Sequence, residues 1–199
     1  MSLSDPSSVS LRERKKAKTR RLIREHGMRL FREQGYAKTT VDQIAEAAEV
    51  SPSTFFRYFP TKEDIVLADD TDPLMVAAFR AQPARYSPLE ALRRAMQQVV
   101  SEMPEEDWAS EIERQELAMA IPELRAKLFD EYTRTIEMIT EPLAERVGRE
   151  PTDPKVRNFA GAVIGIAWAA WLISREDPKR DLMKRVDEGL KHLEDGLPL

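Results

Sequence analysis

The stretch from Thr39 to Lys62 constrains this chain more than any other part of it. Val41, Ile44, Ala45 and Ala48 recur at helical spacing, so one stripe of a short helix is apolar and can lie on a core. Thr40 stands at the N-cap position with Gln43 three residues on, which lets the two side chains satisfy each other's orphan backbone donors in a capping box. After Ala48 the pattern stops. Ser51-Pro52 then opens a second helix, with a hydroxyl cap followed by proline at the position where its missing N–H costs nothing. The body of that helix, Ser53 to Tyr58, cannot stand alone, because isolated helices shorter than roughly 12–15 residues are marginal in water. Phe55 and Phe59 lie one turn apart on a single face and can anchor it to a core.

Two short helices joined by a tight turn, with apolar Val50 in the turn, form a helix-turn-helix whose second member is built to enter the DNA major groove. Its exposed face would carry Pro52, Ser53, Thr54 and Arg57. Arginine forks onto the O6 and N7 of guanine, and a threonine methyl can meet a thymine methyl. Spacing alone fits an αα-hairpin inside a helical bundle equally well.

The residues Ile44, Ala45, Ala48, Val50, Ser51, Thr54, Phe55, Phe56, Tyr58, Phe59, Lys62 and Glu63, at these spacings, resemble the DNA-binding signature of the TetR family of bacterial transcriptional regulators. The resemblance covers residues 12 to 68. It implies that Thr40, Tyr58 and Lys62 hold phosphates, that residues 52 to 54 and Arg57 face bases, and that Lys38, Thr39, Ser51 and Phe56 complete the DNA-binding set. Phe56 stands where the family usually has a tyrosine, so no phosphate contact through that hydroxyl is available. Ser53 replaces a glycine often found there.

A net charge of −4 looks unsuited to DNA until it is divided. Residues 1–62 hold 13 Lys or Arg against 7 Asp or Glu, a balance of +6, and residues 63–199 hold 18 against 28, a balance of −10. A basic third attracts phosphate while the acidic remainder is repelled, so the polarity orients the molecule on a duplex. The absence of cysteine excludes disulfides and thiolate metal sites and agrees with a cytoplasmic protein. No signal-peptide pattern opens the chain, and the longest apolar run, 15 residues from Phe159 to Ile173, falls short of the roughly 20 that a membrane span needs.

Residues 1–10 are small and polar and read as a disordered tail, followed by a helix-turn-helix domain over 11–68 and a ligand-binding and dimerisation domain over 69–199. From Arg12 to Arg24 the first helix carries eight basic residues, a start that could reach a flanking minor groove; Gly35 ends that helix. Thr61 is expected to cap a further helix from Lys62 to about Asp69, which in TetR-like proteins relays ligand binding to the reading heads. Proline and capping signals then place helices after Thr71, Ser87, Pro104, Pro122, Asp153 and Asp177, with Pro142 expected to bend or split the long helix opened by Pro122 near Thr140. No strand pattern appears, so the fold class is all-α: a three-helix N-terminal domain plus a C-terminal helical bundle that dimerises.

Methionines fill irregular gaps and suit apolar cavities, although they serve equally as ordinary core. The resemblance implies an effector pocket in the second domain, for which the residues singled out are Met96, Trp108, Met119, Phe129, Tyr132, Ile136 and Trp168. Arg93, Arg94, Arg114 and Arg125 are candidates to meet an anionic head group, or are plain surface arginines. Gly161, Gly165 and Ala169 recur every four residues on a helix that is apolar nearly all round, so a second copy could approach that face closely, with Leu190 on the final helix joining it. A two-fold protein of this kind takes a near-palindromic operator.

Two histidines far apart, no thiol, and no HExxH, phosphate loop or serine elbow argue against an enzyme, and no metal or cofactor is expected. The expectation is a homodimeric repressor released from double-stranded DNA by a small apolar or amphipathic effector. The run Phe55 to Asp64 also looks like an actinobacterial subset of the family that includes the mycofactocin regulator, which implies an acyl-CoA or another hydrophobic ligand. The alternatives are a ligand-sensing helical protein without a transcriptional role, or an activator of the same fold.

Overall fold

The computed structural model describes residues 11–68, 70–173 and 178–199, all helices and connections with no strand among them. The expected disordered tail, residues 1–10, lies outside the described residues. The chain divides into two compact units, Met1–Ala68 and Asp69–Leu199.

In the first unit, α1 (Leu11–Gln34), α2 (Val41–Ala47), α3 (Pro52–Tyr58) and α4 (Asp64–Leu67) enclose a core of Ile23, Met28, Phe31, Ile44, Ala45, Phe55, Phe59 and Ile65. Gly35 terminates α1 with φ +87°, its amide donating to the Phe31 carbonyl at 3.0 Å. Thr40 and Gln43 form the capping box of α2, at 3.2 and 2.9 Å. In the turn after α2, the Val50 amide returns to the Ala45 carbonyl at 2.9 Å, while Glu49 takes φ +53°. Thr61 does not cap α4. Its amide and hydroxyl both donate to the Asp64 carboxylate, at 2.7 and 2.8 Å, and the helix starts two residues later than Lys62. The Asp64 carboxylate is a strong acceptor and draws the Thr61 hydroxyl to itself as a donor, so that hydroxyl does not cap the helix amides.

The second unit holds α5 (Asp72–Ala81), α6 (Pro88–Glu102), α7 (Glu105–Ala120), α8 (Pro122–Val147), α9 (Pro154–Ile173) and α10 (Pro178–Glu194). Its core gathers Phe79, Leu92, Ala95, Val99, Trp108, Ile139, Leu143, Val163, Val186 and Leu190. Helix α8 packs on α9, α7 and α5, while α10 lies on α9 and α6. Pro142 does not split α8, which runs unbroken from Pro122 to Val147. Pro142, Leu143 and Ala144 are all buried, and tertiary packing on that face outweighs the one ladder bond the ring removes. Beyond the proline, the Arg146 guanidinium donates to the carbonyls of Gln82 and Tyr86, both at 3.1 Å, and pins the α5–α6 connection to α8.

Helix α9 starts after Asp153 as expected and runs 20 residues. Although its unbroken apolar run is 15 residues, the helix as a whole, with mean hydropathy 1.5 over an 18-residue window, is long and apolar enough by length and composition to cross a membrane; 22% of that window is buried within the subunit.

Candidate nucleic-acid interface and effector unit

Helix α3 is held from below and from behind. Phe55 and Phe59 are fully buried, their ring centroids 6.0 Å apart. From α1, Arg20 donates to the Tyr58 carbonyl with its guanidinium 4.3 Å above the Phe59 ring. Arg24 donates to the Ala68 carbonyl at 2.7 Å. Both arginines therefore close the C-terminal ends of short helices, where carbonyls lack partners and positive charge is favoured. The basic start of the helix, Arg12, Lys15, Lys16 and Lys18, is exposed, whereas Arg20 and Arg24 farther along serve the fold.

The outer face of α3 carries a chain of polar side chains. Ser51 Oγ accepts from the Thr54 amide at 3.1 Å, donates to Thr54 Oγ1 at 3.0 Å and meets Ser53 Oγ at 2.9 Å. Thr54 Oγ1 also accepts from Arg57 Nη2 at 3.4 Å. Ser51, Pro52, Ser53, Phe56 and Arg57 are exposed and Thr54 and Tyr58 are partly so, so this row faces outward with its rotamers already biased by mutual hydrogen bonds. Phe56 adds a ring that is 51% exposed, unusual for so large an apolar group without a partner surface.

The turn before α2 is arranged differently from expectation. The Thr39 side chain is 1% exposed; its hydroxyl donates to the Gly35 carbonyl at 2.9 Å and accepts from Gln34 Nε2 at 3.1 Å, so it is a structural residue and not a DNA contact. Lys62 Nζ donates to the carbonyls of Tyr36 (2.9 Å) and Thr39 (3.1 Å) and sits 4.0 Å from the Tyr36 ring centroid. Two of its three donors thus tie down the turn that presents Lys38 and Thr40, both exposed.

In the effector unit the singled-out residues do not converge on one cavity. Trp108 is buried in the core with its Nε1 unpartnered, Ile136 packs on the same core, and Met119 is half-buried. Tyr132 reaches the Gly161 carbonyl at 3.5 Å. Phe129 is 73% exposed, and Trp168 stacks on Trp171 at the surface with centroids 5.4 Å apart. Both depart from the expectation, for neither borders the cleft between α6 and α10. Of the set, Met96 alone borders the cleft of about 500 Å³ that the structure opens between α6 and α10.

The arginines separate clearly. Arg94 pairs with Glu90 at 2.8 Å, Arg114 is buried against Glu111, and Arg125 is exposed. Arg93 lies at the cleft and pairs with Asp187 at 2.6 Å. Asp187 also accepts from Lys191 at 3.1 Å. Burial pushes the Asp187 carboxyl up, but hydrogen bonds and charge from Arg93 and Lys191 together outweigh it and hold the group below the usual carboxylate range. Sequence reading missed this pairing; its only local trace is the i, i+4 spacing of Asp187 and Lys191.

On α9, Gly165 faces inward, where an added Cβ would stand 3.8 Å from the Tyr132 hydroxyl. Leu190 is 1% exposed in its own subunit's core and so offers nothing to a second copy. Ala169, Leu172 and Ile173 are exposed.

Comparison with known proteins agrees with this geometry. Residues 23–68 match the model of bacterial regulatory proteins of the tetR family, and residues 86–198 match the MftR C-terminal domain. TcmR, an HTH-type transcriptional regulator of Streptomyces glaucescens, is 39% identical over 159 residues, covering 75% of this chain and 68% of its own. MftR of Mycobacterium tuberculosis, a candidate regulator of mycofactocin biosynthesis, is 27% identical over 160 residues, covering 79% and 80%. Among solved structures, Thermus thermophilus FadR, a TetR family repressor in complex with lauroyl-CoA, aligns with TM-score 0.54 and 25% identity over 90% of this chain and 95% of its own. A candidate TetR-family regulator from Syntrophomonas wolfei aligns with TM-score 0.63 and 21% identity over 92% and 98%. An outward-facing polar row on a short anchored helix, the match of the first unit to the family's DNA-binding model and the match of the second to a regulator's C-terminal domain have one common owner: the chain belongs to the TetR family of transcriptional regulators.

Proposed function

We propose that this regulator is a homodimeric repressor that leaves a palindromic operator when a small apolar or amphipathic effector binds its second unit. The observation that carries the reading is the outer face of α3, where Ser53 and Arg57 stand exposed and Thr54 partly so while Phe55 and Phe59 fix the helix beneath them. Arg57 reads a guanine, Ser53, Thr54 and Pro52 meet neighbouring base edges, and Phe56 packs on a thymine methyl or sugar. Ser51, Thr40, Lys38 and Tyr58 bind phosphate, whereas Lys62 acts on phosphate binding through the turn it holds.

Dimerisation is supported by α9, an apolar helix on which Trp168, Ala169, Leu172 and Ile173 are left exposed within one subunit. A second copy covering Ala169, Leu172 and Ile173, with Gly161 at the edge of the contact, removes that surface from water. Such a protein works in the cytoplasm, where the DNA is, and needs no membrane. FadR's complex with lauroyl-CoA supports an amphipathic effector for this fold. The testing experiment is selection of duplexes from a random pool at two salt concentrations, paired with sedimentation of the free protein. Enrichment of an inverted repeat by a dimer whose affinity falls steeply with salt supports the reading; a monomer that retains no duplex refutes it.

A further inference from the structure

We propose that the cleft between α6 and α10 is an effector seat for a small apolar acid, whose tail lies between the helices and whose carboxylate takes donors of Arg93. The inference rests on the reading of this chain as an effector-controlled regulator and adds where the effector sits and what charge it bears. The walls are apolar and soft: Met96, Val100 and Met103 from α6 and its end face Met183, Val186 and Leu190 of α10. Unbranched thioethers adapt to irregular aliphatic or aromatic shapes. A volume of about 500 Å³ lies within the range of roughly 300–1,000 Å³ common to small-molecule sites.

Hydrogen-bond accounting at the mouth sets the ligand's polarity. Arg93 gives Nε and Nη2 to one oxygen of Asp187, at 2.8 and 2.6 Å, and Lys191 takes the other oxygen at 3.1 Å. Both carboxylate oxygens are therefore engaged, while a guanidinium has five N–H donors and only two are committed to Asp187. Lys184, also on the rim, is 3.8 Å from Glu188 and largely solvated. What the charged groups lining the cleft have left to offer is donors, and the lining cations Arg93 and Lys184 exceed the lining anion Asp187 by one. A monoanion balances that excess and takes the remaining guanidinium donors, whereas an amine is repelled by it.

The opposite side of α10 explains why occupancy has an effect. Gly189 meets α9 so closely that an added Cβ would stand 2.5 Å from Ile166 Cγ2, so α10 is seated hard on α9. A ligand entering the cleft displaces α6 instead, and α6 packs on α5, the first helix after the DNA-binding unit.

The test is calorimetric titration of the full-length protein with dodecanoate and 2-naphthoate, with methyl dodecanoate and dodecylamine alongside. The acids bind more tightly than the ester and the amine. Arg93→Gln weakens the acids by about tenfold or more and leaves the ester nearly unchanged. Lys184→Gln, which leaves the ion pair intact, weakens only the acids, by a smaller factor. Met183→Trp fills the cleft and abolishes both acid and ester, while Met119→Trp, on α7, changes neither; circular dichroism establishes that each variant is folded. Absence of binding by either acid, equal binding of acid and amine, or loss of binding in Met119→Trp with retention in Met183→Trp overturns the proposal. Duplex binding by the ligand-free protein is scored separately, so failure of the regulator reading is told apart from failure of the cleft.

Discussion

Gly27 of α1 and Ile65 of α4 are in such close approach that a Cβ on Gly27 would stand 2.8 Å from Ile65 Cδ1 and 3.2 Å from its Cγ2. Ile65 is fully buried, so it has no free space to yield into, and glycine is what lets the two helices meet. Gly27→Ala is expected to destabilise the protein by about 1–3 kcal/mol despite its better helix propensity. Denaturant unfolding followed at two wavelengths measures this, and a stabilised variant would show that the contact is loose.

Glu49 gives the opposite sign. It sits at φ +53° in the turn between α2 and α3, a left-handed conformation that disfavours a side chain. Glu49→Gly is expected to raise stability by up to about 1 kcal/mol, read as a rise in Tm of a few degrees.

Lys38 and Lys62 differ in how they serve DNA. Lys38 is exposed, whereas Lys62 commits two donors to the Tyr36 and Thr39 carbonyls. Lys38→Ala should lower the slope of log affinity against log salt by about 1, as loss of one phosphate contact requires. Lys62→Met should weaken binding with little change in slope and should also lower stability, because it frees the turn. Equal slopes for the two variants would remove the distinction.

The Arg93–Asp187 pair carries a pH signature. The folded-state pKa of Asp187 is lowered, so the stability it contributes is full above the unfolded value of about 3.9 and is lost as pH falls through the lower folded value. Asp187→Asn should therefore be less stable than the parent near neutral pH, with the difference closing below about pH 4. A difference that persists unchanged to pH 2 would place its origin outside the charge.

What was legible in the sequence was what neighbours in the chain determine. Ser51-Pro52 announces α3, Thr40 and Gln43 cap α2, and Phe55 with Phe59 names the buried face, because each signal is complete within one helical turn. Residues whose role depends on a distant partner were misjudged. Lys62 looks like a free polar group until the chain brings it to the carbonyls of Tyr36 and Thr39. Of the two outcomes a proline allows, bending or splitting, burial of Pro142 and its neighbours excludes the split. Leu190 fits an interface stripe but is consumed by its own core, and Phe129 fits a core stripe but points outward, because periodicity names a face without saying what covers it.

The central claim is that Arg57 on the outer face of α3 reads one base per half-site of a two-fold operator. Selection from a random duplex pool, run in parallel with wild type and Arg57→Ala, measures it directly. Wild type should enrich an inverted repeat, and the variant should keep the repeat but lose about 1–3 kcal/mol of preference at one symmetric position. Identical enriched sequences from both proteins, or enrichment without a repeat, would contradict it.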